Sequence, residues 1–71
     1  MSDVETVGDA LPREMARVRD EVMPPYREIG PAGQFALAMM KADLDRAAKA
    51  MSEGDVVAMI DALQSLRGYH V

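Results

Sequence analysis

The residues of this 71-residue chain that could do chemistry are few, and their spacing keeps them apart. A metal site needs converging histidine, cysteine or carboxylate ligands; here there is one histidine, His70, close to the C-terminal end, no cysteine and no Glu-x-x-His pattern. Asp43 and Asp45 are the nearest approach to a carboxylate pair. At about 100° per residue they point roughly 200° apart on a helix and read as separate, solvated charges. Ser2, Thr6, Ser52 and Ser65 have no base at hand to activate them, as nucleophilic catalysis would require. Gly30-x-x-Gly33 and Gly54 are too isolated to cradle a phosphate, and neither Gly-x-x-x-x-Gly-Lys nor Gly-x-Gly-x-x-Gly occurs. No catalytic, cofactor-binding or metal-binding residue is therefore assigned, no cofactor is expected, and the chain does not read as an enzyme.

Two further patterns have a binding reading and a plainer one. Pro24-Pro25-Tyr26 has the composition of a proline-rich ligand, yet it interrupts an amphipathic segment and reads as helix punctuation. Arg13, Arg17 and Arg19 could enter a nucleic-acid groove, but Glu14, Asp20 and Glu21 interleave with them and nearly cancel their charge. With 12 acidic against 8 basic residues the net charge is -4, which disfavours phosphate backbones and anionic lipid.

The elements that must position these residues are helices. Ser52-Glu53-Gly54-Asp55 fuses a helix stop to a helix start: Gly54 suits the left-handed closing position, and Asp55 can accept from the first free amides of the next helix. Before it, Gly33, Leu37, Met40, Leu44, Ala47 and Met51 repeat at spacings of four and three, a heptad-like seam. After it, Val56, Met59, Ile60, Leu63 and Leu66 share the face expected to meet that seam. Upstream, Leu11, Met15, Val18 and Val22 form a stripe that Tyr26 and Ile29 would continue if the helix resumes after Pro24 and Pro25, so a kink is expected there rather than an end. Arg17 with Glu21, and Asp45 with Lys49, are the expected surface pairs. The expected fold is all-α: a three-helix antiparallel arrangement built on a helical hairpin and dimeric. It has a flexible tail over 1–9 and a single helical domain over 10–69, with helices at about 12–28 (kinked at 24–25), 31–52 and 55–67.

A chain this short buries only about 60% of its unfolded surface, so its core needs support from disulfides, metal, association or very regular packing. Without cysteine the first is excluded, and a reducing compartment, the cytoplasm, is expected. The start Met1-Ser2-Asp3-Val4-Glu5 lacks the basic and apolar regions of a signal peptide, and the charge-free run from Ile29 to Met40 is too short to span a bilayer. No membrane association is expected.

Phe35 and Met39 carry the sharper signal. They share a face of the middle helix some 200 to 240° from Gly33, away from the seam, with Ala42 and Ala50 nearby. Either the first helix covers this second apolar face, or it stays open and, with Met23 and Tyr26, joins a partner or a second copy. The seven methionines add side chains that repack easily.

The segments Leu11-Pro12-Arg13-Glu14-Met15-Ala16-Arg17-Val18-Arg19, Tyr26-Arg27-Glu28-Ile29-Gly30-Pro31-Ala32-Gly33 and Gly54-Asp55-Val56-Val57-Ala58-Met59 resemble small helical proteins encoded in bacteriophages and prophages of proteobacteria. The resemblance implies an accessory phage protein and carries over no functional residue. The leading expectation is a non-catalytic protein-protein interaction protein, a homodimer binding a host or phage protein through Phe35, Met39, Ala42, Met23 and Tyr26. The alternative is a small regulatory subunit at nucleic acid, acting through a dimeric strip of Arg13, Arg17, Arg19 and Arg27 or as an acidic mimic of DNA.

Overall fold

A computed structural model describes residues 5–70, and among them every regular element is helical. Helix α1 (Val7–Arg17) passes without a break into a π-helical turn (Val18–Val22) and then into α2 (Met23–Glu28), making one long rod. A 3-10 turn (Gly30–Gly33) leads to α3 (Gln34–Glu53), and a two-residue turn leads to α4 (Val56–Arg67). Three helical rods pack together: α4 lies along both α1 and α3, while α2 packs on α3.

The first helix starts earlier than the sequence pattern suggests. Thr6 caps it: its hydroxyl oxygen accepts from the Asp9 amide at 3.2 Å, and its hydroxyl donates to the Asp9 carboxylate at 3.0 Å. The expected tail over 1–9 is thus helical from Val7, and residues 1–4 lie outside the described residues. The helix does not end at Met23, and its irregularity lies at Val18–Val22, ahead of the prolines. Pro24 and Pro25 have no amide hydrogen, and their rings crowd the carbonyls of the preceding turn. Widening that turn relieves the clash, and the Met23 amide reaches back to the Val18 carbonyl.

A π turn takes up one extra residue, so everything after it is displaced by one position around the axis. This corrects two expectations. Met23 turns inward and is buried, and Ile29, expected to continue the stripe, is exposed.

The α3–α4 turn forms as its residue types dictate. Gly54 adopts φ 65, the Gly54 amide donates to the Met51 carbonyl at 3.2 Å and the Asp55 amide to the Ala50 carbonyl at 3.0 Å, a Schellman closure. The Asp55 carboxylate then accepts from the Ala58 amide at 3.1 Å and starts α4. Gly30 is the second left-handed glycine, at φ 67.

The core joins Leu11, Val18 and Val22 of the first rod to Met40, Ala47 and Ala50 of α3 and Met59, Ala62, Leu63 and Leu66 of α4. No polar side chain is buried among the described residues. The small residues Ala47, Ala50 and Ala62 permit close approach of the helices that carry them. The predicted seam is only partly covered: Gly33, Met40 and Ala47 are buried, Leu37 and Leu44 half-buried, and Met51 exposed. In place of the whole seam, α4 sits toward the side of α3 that carries Asp43, Arg46 and Ala50. Val56 and Ile60, expected to face the seam, are consequently exposed.

Candidate protein interface

Phe35 and Met39 stand on α3 in solvent, 78% and 46% exposed, and Ala42 is exposed beside them. Helical spacing shows why they are bare. Arg46 follows Met39 by seven residues and Phe35 by eleven, so all three lie within about 20° of one line along α3. On that line α4 reaches only the C-terminal part, where Arg46, itself exposed, donates to the Ser65 hydroxyl at 3.2 Å. Helix α4 has 12 residues against 20 for α3, about 18 Å against 30 Å. It stops before it reaches Met39, and Phe35 lies farther on still.

Beyond α4 the chain forms a short strap. Tyr69 donates from its hydroxyl to the Asp43 carboxylate at 2.6 Å, and the Tyr26 hydroxyl donates to the His70 carbonyl at 3.3 Å. Asp43, read from sequence as a solvated charge, instead accepts from both Tyr69 and Arg46. Burial, reinforced by the hydrogen bond to Asp43 and its negative charge, pushes the Tyr69 phenol up to about 12. The strap ties the chain end to α2 and α3.

The five residues assigned to an interface from sequence are therefore not one patch. Phe35, Met39 and Ala42 are exposed together, whereas Met23 is buried in the core and Tyr26 is half-buried against the strap. Met23 is withdrawn from the interface because the π turn rotates it inward. Tyr26 serves the fold instead, through its hydroxyl and through its carbonyl, which lies against Gly33.

Of the arginine strip, Arg13, Arg17 and Arg19 are each paired among the described residues, and Arg27 is exposed. Arg13 pairs with Glu5; Arg17 donates to Glu14 and to the Leu66 carbonyl, each at 3.0 Å; Arg19 donates to Asp20 at 3.0 Å. Neighbouring carboxylates raise the guanidinium pKa of Arg13 and Arg19, through hydrogen bonds to Glu5 and Asp20 first. The shallow groove between Arg13, Glu14, Ala16, Arg17, Asp20 and Glu21 is lined by three carboxylates and two guanidinium groups and has no preference for an anion. The expected Arg17–Glu21 and Asp45–Lys49 pairs are replaced by Arg17–Glu14 and Lys41–Asp45.

Among the described residues, no three of His, Cys, Asp and Glu are grouped to hold a metal ion, and no helix is long and apolar enough to cross a membrane. No protein-family model matches the chain, and comparison with curated proteins and with solved structures gives no match.

Proposed function

We propose that this chain is a non-catalytic interaction protein, an antiparallel three-helix bundle that binds another protein or a second copy of itself through the face of α3 left open beyond α4. The exposure of Phe35 carries the reading. Burying an exposed aromatic ring and its thioether neighbour against a partner removes roughly 200 Å² or more of apolar surface from water, worth several kcal/mol before the costs of association. A partner helix laid along this face would continue the line of α4, in the helix-in-groove manner. The resemblance to phage and prophage proteins supports an accessory role in a bacterial cytoplasm, where such a chain would recruit or block a larger host or phage protein.

Light scattering on the purified chain, with affinity capture from a proteobacterial lysate, tests the reading. Wild type is expected to form a dimer or to retain a partner, and Phe35→Ala with Met39→Ala to abolish either. A strict monomer whose captured partners are the same in the double variant overturns it.

A further inference from the structure

We propose that the opposite end of the molecule, around the α3–α4 turn, is a second docking surface whose occupant is a cationic amphipathic helix of a partner protein. Val56, Val57 and Ile60 are 54%, 70% and 42% exposed. Ile60 lies four residues after Val56 and three after Val57, so the three side chains adjoin on one face of α4. Nothing in the fold asks for them there. At exposed helix positions β-branched residues are poorer helix formers than Lys, Gln or Glu, and these three contribute little to the core.

Carboxylates outnumber cations around this patch, where Lys49, one helical turn before Glu53 on α3, is the nearest cation along the chain. Glu53 and Asp55 stand at the turn, and Asp61 follows Val57 by one helical turn; all are exposed and none forms an ion pair among the described residues. Asp55 uses one carboxylate oxygen to cap α4 at Ala58, yet its charge remains. From Ala50 to Leu66 the chain carries no lysine or arginine. The half positive charge at the start of α4 does not cancel three carboxylates. An apolar patch under a negative rim complements a helix with an apolar stripe flanked by lysine or arginine, and it repels nucleic acid and anionic lipid. Phe35 and Glu53 are separated by about 27 Å of helix α3, so this surface and the Phe35 face are distinct.

Titration of the isotope-labelled full chain with a synthetic leucine-lysine amphipathic peptide, followed by NMR amide shifts, tests the inference. Shifts centred on residues 53–61 are expected, with affinity falling about tenfold or more when salt is raised from about 0.05 to 0.5 M. Asp61→Lys and Val57→Lys, at exposed positions where lysine suits a helix, should each weaken binding about tenfold, while Phe35→Ala leaves it unchanged. The inference is overturned by no binding at millimolar peptide, by equal binding of a leucine-glutamate peptide, or by shifts centred elsewhere. None of these outcomes touches the reading of the Phe35 face, which Phe35→Ala tests separately.

Discussion

The Tyr69 hydroxyl meets the Asp43 carboxylate at 2.6 Å, tying the end of the chain to the middle of α3. Asp43 also accepts from Arg46, which reaches on to Ser65, so this one carboxylate links α3, α4 and the strap. Tyr69→Phe keeps the ring packing and removes the bond. A loss of about 1–2 kcal/mol is expected, toward the lower end because Arg46 still satisfies Asp43. For a domain this small, thermal unfolding followed by circular dichroism should show a midpoint lower by about 4–8 °C per kcal/mol.

The same pair makes stability fall in strong base. The phenol is neutral when protonated, and its folded pKa of about 12 lies above the ordinary value of 10.0, so the folded chain holds this proton more tightly than the unfolded one. The contribution is fully present below about pH 10 and is lost as pH rises toward 12. Urea unfolding across that range should show wild type losing stability faster than Tyr69→Phe. Parallel curves would mean that Tyr69 titrates alike in both states.

Arg17 secures another long-range polar contact, closing the end of α4 by donating to the Leu66 carbonyl while Glu14 holds its guanidinium. A cation at the C-terminal end of a helix also meets the negative end of its dipole. Arg17→Met keeps most of the aliphatic stem and should cost about 1–2 kcal/mol in chemical denaturation. Arg19→Met, whose partner is the adjacent and exposed Asp20, should leave the denaturation midpoint essentially unchanged, because solvent screens that pair.

Two glycines are needed for different reasons, and alanine separates them. A Cβ on Gly33 would stand 2.1 Å from the Tyr26 carbonyl oxygen, a main-chain atom that cannot swing aside. Gly33→Ala must push α2 away from α3, at an expected cost of about 2–3 kcal/mol. At Gly54 there is open space around a Cβ, but φ is +65, and Gly54→Ala should cost about 1 kcal/mol through the backbone alone. Equilibrium unfolding of the two variants should reproduce that order.

The ease of reading each part from sequence depends on how local its cause is. The Gly54-Asp55 turn is legible because its closure and cap involve residues within five positions of one another, each of a type suited to its place. The Thr6-x-x-Asp9 cap is equally local, but Gly8 and the weak periodicity around it mask the signal. The π turn is not legible. Prolines announce a disturbance without saying whether the helix stops, bends or widens, and the choice depends on which residues the other helices bury. With the turn widened, every face after it moves, and Met23 and Ile29 exchange their expected surroundings. At Phe35 the spacing reveals a second apolar face on α3; that this face stays open depends on the length of α4 and on where α4 lies, which is a tertiary outcome.

That openness separates the stability of the lone chain from its association. Phe35 and Met39 contribute little to the core, so Phe35→Ser with Met39→Gln should change the unfolding free energy by no more than about 0.5 kcal/mol at low protein concentration. At high concentration the outcomes should diverge. If two copies associate through this face, the folded state gains stability by mass action, and the wild-type melting midpoint climbs with concentration. The double variant has lost the surface that provides the coupling, so its midpoint should stay flat over a hundredfold dilution series, for which the law of mass action allows a shift of about 2.7 kcal/mol per mole of dimer when the chain is fully dimeric. Two coincident, flat series would exclude self-association and leave the face to a different protein, whereas two coincident climbing series would place self-association on another surface.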